Sequence, residues 1–348
     1  MSDHTFAARG IGYDAGVIYD GDFDSRPVWD AGDVRADLRA IRHRLGCDTV
    51  LVMATDIDRL LDTARIAREE GLAVWIQPRL FDATRSQVSA HLAQLADRAE
   101  ALRLLHGEVS LNLGCELSLS AEGFTPGRTF SSRGALLPIF SMFLPLVNLR
   151  LRAFLKELVG VARQRFAGPV SYGAGSWERP DWTIFDVVGL DAYRDAANAS
   201  WFATSLRRTV ERHHRAGRPV YVFEFGTCAY IGAAENASQA SDVIEEADDG
   251  GMQVPTTLVR DEQVQADYLD ELFDVFAKAS VDGTFVWGFS EPRLTRSDEP
   301  GKDLDIASYG IVAPMPEGTW QPKRGFYTVA RRHGGSCSLQ VVQGPKNP

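Results

Sequence analysis

Two glutamates stand where chemistry could be done. Glu116 closes the run Glu108-Val-Ser-Leu-Asn-Leu-Gly-Cys-Glu116, and Glu224 lies late in Pro219-Val-Tyr-Val-Phe-Glu-Phe-Gly226. Both runs read as buried strands with a carboxylate at the carboxyl end. Side chains alternate across a strand. Ser110, Asn112, Gly114 and Glu116 therefore share one face, and Val109, Leu111, Leu113 and Cys115 share the apolar one that would meet helices. The same parity sends Glu224 inward with Val220 and Val222, leaving Tyr221, Phe223 and Phe225 outside. Two carboxyl groups facing each other can divide acid and nucleophile work at an acetal carbon without a metal.

Other strand ends supply company. Asp14, Arg79, Trp177, Glu178, Asp191, Tyr193 and Trp287 fall at or just after such ends, with Asn112 and Cys115 on the strand that carries Glu116. Trp287 and Trp177 offer flat faces for sugar rings, and Tyr193 a hydroxyl for a carboxylate. None of the seven histidines closes a predicted strand, which disfavours a metal site and removes the base of a serine triad. Neither Gly-x-Gly-x-x-Gly nor Gly-x-x-x-x-Gly-Lys occurs, so no nucleotide cofactor is indicated. No metal and no cofactor are expected.

The elements that must position these residues alternate along the chain. Strands are predicted over 9–14, 48–54, 72–78, 108–116, 169–175, 185–193, 219–226 and 282–289. Helical stripes lie between most of them, such as Val88, Leu92, Leu95, Ala99 and Leu102. Only about ten residues separate the fifth strand from the sixth, so the fifth helix must be vestigial. A long segment after the seventh strand, 231–254, reads as a mobile insertion above the strand end. The tail, 293–348, is irregular apart from a closing helix near 326–332. Eight strands alternating with about seven helices and no linker predict one α/β domain over 1–348, a (β/α)8 barrel whose strand carboxyl ends form the active face.

Bulk properties fit that reading. The 348 residues are 45% hydrophobic and 24% charged, the balance of a soluble protein with a large core. A net charge of −10 argues against a nucleic-acid partner. The apolar stretch 136–151 is broken by Pro138, Pro145 and Asn148. It reads as a buried helix or an active-site cover, with a membrane-facing surface as the minor alternative. The cysteines Cys47, Cys115, Cys228 and Cys337 form no Cys-x-x-Cys pair, and the first residues lack the pattern of a signal peptide. A cytoplasmic protein without a membrane partner, acting on a small molecule or saccharide, is expected.

Four segments carry a resemblance. They are Leu111-Asn-Leu-Gly-Cys-Glu-Leu117, Asp186-Val-Val-Gly-Leu-Asp-Ala-Tyr193, Val220-Tyr-Val-Phe-Glu-Phe-Gly226 and Thr284-Phe-Val-Trp-Gly-Phe289. Together they resemble the clan A glycoside hydrolases, retaining (β/α)8 barrels. The resemblance implies Glu116 as acid/base, Glu224 as nucleophile, Tyr193 as its hydrogen-bond partner and Trp287 as a sugar platform. Two positions depart from the clan's pattern. Cys115 stands where Asn usually precedes the acid/base and contacts the sugar 2-hydroxyl, and Asp191 stands where a His is frequent. Gly114-Cys-Glu-Leu-Ser-Leu119 and Trp177-Glu-x-x-x-Trp182 also resemble bacterial proteins carried under an "abortive infection" label.

The expected function is that of a retaining glycosidase or transglycosidase acting on a small glycoside. Cys115 and the 231–254 insertion motivate an alternative: a tailoring enzyme of secondary metabolism that moves a proton with one glutamate. A non-catalytic sugar-binding protein on the same scaffold is the third reading.

Overall fold

Strands apolar on both faces need cover on both, and a ring of parallel strands inside a ring of helices provides it. The computed structural model describes residues 5–21, 23–247 and 250–336. His4 and Cys337 lie outside the described residues. The ring strands are β1 (Ala8–Asp14), β2 (Thr49–Ala54), β3 (Ala73–Pro78), β4 (Val109–Cys115), β5 (Val170–Gly173), β6 (Val188–Asp191), β7 (Val220–Phe225) and β8 (Gly283–Val286). All pair in parallel, in the order β5-β4-β3-β2-β1-β8-β7-β6. A bridge from Ala174 to Leu190 joins the two ends, so the sheet closes into a (β/α)8 barrel.

Helices α1 (Ala31–His43), α2 (Ile57–Glu69), α3 (Arg85–His106), α4 (Leu144–Arg163), α5 (Ala199–Arg215), α6 (Glu262–Ala279) and α7 (Arg324–His333) surround it. Local chemistry sets their starts: Asp30 caps α1, and Thr84 forms a capping box with Gln87 on α3. Between β5 and β6 the chain makes only the 3-10 turn Trp182–Ile184, the vestigial fifth helix.

The outward faces of the strands (Ile11, Val50, Val52, Val74, Ile76, Leu111) join the helices in the main core. The lower interior is an aromatic plug. Trp75 meets Phe223 and Tyr221 edge-on at 5.2 and 6.0 Å, and Phe223 lies 5.0 Å from Phe285. Gly10 makes room for it, because a methyl there would overlap the Phe285 ring.

That plug corrects the predicted parity. Val220 and Val222 face the helices, whereas Tyr221 and Phe223 point inside. Glu224 is nevertheless inward because β7 is bulged. Against β6, Leu190 pairs with Val222 but Asp191 pairs with Glu224. One extra residue lets Phe223 and Glu224 face the interior in succession. Phe225 then turns outward, onto Phe273 and Phe276 of α6 at 5.3 and 4.8 Å. β4 carries a second irregularity at Gly114, which holds φ = 145°, and its register against β5 shifts between Asn112 and Cys115. Cys115 was expected to face the helices. The shift turns it into the barrel.

Three segments differ from expectation. The insertion is tied down: its 3-10 helix Ala233–Val243 receives a hydrogen bond from the Tyr309 hydroxyl at Ala237 O (2.6 Å) and donates to it from Ala240 N (3.0 Å). The tail holds an antiparallel pair, Val312–Pro314 with Trp320–Pro322, before α7. The stretch 136–151 is not uniformly buried. Ile139, Met142, Phe143, Leu146 and Leu149 are exposed, while Leu151 and Phe154 beyond them are enclosed. Among the described residues no single helix is long and apolar enough to cross a membrane. One pair bent by 95°, Phe130–Leu136 with Ser141–Arg163, reaches that length and composition together.

Candidate active site

The site lies at the carboxyl ends of the strands, directly above the plug. Glu224 is its most heavily contacted group. Arg79, just beyond β3, donates from Nη2 to Glu224 Oε1, and both side chains are buried. The Cys115 thiol lies 3.3 Å from the same oxygen, and the Tyr193 hydroxyl donates to Oε2 at 3.3 Å. Arg79 and Tyr193 thus fix the orientation of this carboxylate, and the single Cys115 proton lies within reach of it and of Asp191 alike.

Arg79 is itself held in place. Gln77 Oε1 accepts from its Nε at 2.7 Å, and its guanidinium lies 4.9 Å above the Trp287 ring. Inward-facing side chains on one strand come two apart, so Trp75, Gln77 and Arg79 climb from plug to site in three steps.

Glu116 is placed differently. It follows β4 with φ = 47° and ψ = 45°, a left-handed conformation rare for a residue with a Cβ and concentrated at functional positions. Its carboxyl and the Trp177 ring crowd Gly175, where a methyl would meet them at 2.8 and 2.6 Å. Burial raises its pKa well above the usual carboxylate range. The charges of Asp191, Glu224 and Glu178 add to the rise, and Arg79 opposes it. Asp191, at the end of β6, has Oδ2 3.3 Å from Cys115 Sγ, where it competes with Glu224 for the one thiol proton, while its buried Oδ1 has no partner among the described residues. Burial and then the Glu224 charge push its pKa well up. Asp14 closes the far wall near Trp287; burial raises its pKa despite bonds from Gly16 and Ser25. Negative groups outnumber the single guanidinium, and the surplus favours retaining protons.

The structure therefore brings Glu116, Glu224, Tyr193, Arg79, Asp191, Cys115 and Trp287 together, with Asp14 and Trp177 at the edges. Two other expected substrate-binding residues have structural partners of their own, although Glu178 also lines the groove beside the centre. Both oxygens of Glu178 are engaged, by the Tyr172 hydroxyl (2.7 Å) and by Ser118 N (2.9 Å), so it braces β5 against the short helix Leu117–Ser120. Asn112 sits deeper in the barrel, where its Oδ1 accepts from Gly114 N at 3.2 Å. Sequence reasoning missed Gln77, a polar residue inside an otherwise apolar strand. It also missed Tyr19, Ser241, Ile244 and Met252, which line a pocket of about 190 Å³ over Trp287 and Asp14.

Cys115 Sγ and carboxylate oxygens of Asp191 and Glu224 lie within 4.8 Å of one another, a donor set that a metal ion could use. A cation there would compete with Arg79 for Glu224. It would also need the Cys115 proton, which burial holds on well above the normal thiol range.

No family model and no curated protein matches the chain. Solved structures do match. A GH113 β-1,4-mannanase superposes with a TM-score of 0.60 at 15% identity, over 95% of this chain and 99% of that one. A GH113 β-mannanase from Alicyclobacillus acidocaldarius, in complex with ManMIm, gives 0.59 at 15% identity, over 95% and 98%. A β-glucuronidase from Ruminococcus gnavus, in complex with uronic deoxynojirimycin, gives 0.54 at 15% over 94% of this chain and 49% of that one. The "abortive infection" resemblance gains no support from these matches. At such identities the likeness is one of fold: the chain is a (β/α)8 barrel of the kind on which these glycosidases are built.

Proposed function

We propose that this protein is a retaining glycosidase or transglycosidase for a small glycoside, with Glu116 as acid/base and Glu224 as nucleophile. One observation carries the reading: two carboxyl groups at one mouth have opposite surroundings. Burial and the neighbouring carboxylates raise the Glu116 pKa well above the usual carboxylate range, the direction that suits a group that must protonate a leaving oxygen. Glu224 is aimed by Arg79 and Tyr193, with the Cys115 thiol beside it. In the first step Glu224 attacks the anomeric carbon, the glycosidic bond breaks, and the Glu116 proton passes to the departing oxygen. In the second, Glu116 takes a proton from water, which releases the sugar from Glu224. Trp287, stacked with Arg79, forms one wall for the ring. The structural relatives named as mannanases and glucuronidases add support at the level of the scaffold.

The test is a panel of aryl glycosides read for turnover and anomeric outcome. Glu224→Gln should lower kcat by about 10³-fold or more, and a 2-fluoro glycoside should label Glu224 covalently. A variant that turns over normally would sink the assignment. A second reading, proton transfer on a small metabolite without a glycosyl intermediate, is favoured by the Cys115 thiol standing against Glu224. It predicts no covalent label on Glu224 while Glu116→Gln is inactive.

A further inference from the structure

The missing fifth helix leaves a groove on the barrel wall. Its volume is about 670 Å³, within the range of small-molecule sites. The upper end is lined by Gly175, Asp191 and Tyr193, so it opens onto the carboxylate centre. Lower down, between α4 and α5, Trp182 and Trp201 provide aromatic surface, and Trp201 is more than half exposed.

Four arginines also line it: Arg152, Arg179, Arg212 and Arg218. Among the described residues none of them has an ion-pair partner within 4 Å, although guanidinium–carboxylate pairs are common elsewhere on this surface, for example Arg35 with Glu70 and Arg332 with Asp274. Arg152 and Arg179 are braced at one end by backbone carbonyls: Arg152 Nε donates to Arg179 O, and Arg179 Nη1 to Ser176 O, each at 2.6 Å. The carboxylate beside them, Asp181, is already engaged. It accepts from Thr183 N and Oγ1 at 3.0 and 2.7 Å, and those bonds, with weaker help from Arg152 and Arg218, hold its pKa below the usual range. His213 adds no charge at neutral pH. Burial, then Arg212 and Arg218, lowers its pKa. In a chain of net charge −10, four arginines without an ion pair, facing the carboxylate of Asp181 and beside aromatic rings, suit one ligand chemistry.

We propose that this groove binds an acidic moiety of the substrate, a carboxylate, sulfate or phosphate carried on a flat or cyclic body. Guanidiniums take such groups through paired N–H donors, and the body lies against the tryptophans. The binding claim stands on the groove alone. That the ligand is also a glycoside cleaved above it rests on the proposed function.

The two claims are separable in one experiment. Glu224→Gln protein is titrated with 4-methylumbelliferyl glucuronide, sulfate and phosphate, and with the neutral glucoside, following tryptophan emission. At least one anion should bind tenfold or more tightly than the glucoside. That preference should weaken with salt and disappear in Arg212→Gln/Arg218→Gln, whose circular dichroism should stay that of the parent. Which anion wins identifies the group. No preference for any anion, or a preference that survives the double substitution, overturns the groove as the site. No anion preference in the Glu224→Gln protein, together with aryl-glycoside turnover by the wild-type protein, refutes the groove and leaves the glycosidase. The opposite pattern refutes the glycosidase and leaves the groove.

Discussion

The lower and upper halves of the barrel interior are built from the same strands and differ in nearly every physical respect. Below, Trp75, Tyr221, Phe223 and Phe285 fill the ring and contribute only one polar tip per tyrosine or tryptophan. Above, toward the carboxyl ends of the strands, the lining is Glu116, Asp191, Glu224, Arg79 and Cys115. The contrast explains the titration behaviour of the upper half. Burial is the largest cause of the raised pKa of both Glu116 and Asp191, and the plug closes the barrel beneath them. An apolar floor is thus part of the acid chemistry it never touches.

Removing part of the floor should have the largest effect. Phe285→Ala opens a cavity in a fully buried site and should cost about 3–5 kcal/mol of stability, read by urea denaturation. Water admitted beneath the carboxyls should also bring the basic limb of the pH–rate profile to lower pH. Asp191→Asn tests the upper half directly, with a smaller effect. Glu116 must be protonated to act, so activity falls as pH rises through its pKa. Asp191 is the largest charged contributor to its elevation, and removing that charge should move the basic limb down. An unmoved limb would show that the limb reports another group. The smallest effect is expected at Cys115. Burial keeps its thiol protonated, so iodoacetamide should modify it in denatured but not in native protein, as read by intact mass. Rapid native alkylation would mean that the upper half is wetter than its geometry implies.

The ring and its missing fifth helix were legible because hydrophobic period and segment length carry that information. That Glu116 and Glu224 stand at the carboxyl ends of their strands was also legible, from the position of each in its run. What escaped was local register. An extra residue in β7 leaves no mark on composition, so simple alternation put Val220 and Val222 inside and Phe223 outside, the reverse of the structure. In β4 only Gly114 hinted at the shift that turns Cys115 inward. The ion pair between Arg79 and Glu224 spans 145 positions of sequence, and nothing local announces it. The hydrogen bonds of Glu178 were hidden for a related reason. Its partners, Tyr172 and Ser118, become neighbours only when β5 folds against the turn after β4.

The bulges have a consequence for anyone who would transplant or align this site. On β7 the inward aim of Glu224 is stored as chain length rather than as side-chain identity. Deleting one residue there would restore regular pleating and rotate the carboxylate toward the helices while leaving every functional side chain in the sequence. An ungapped alignment to a barrel without the bulge would match each letter and misplace the centre.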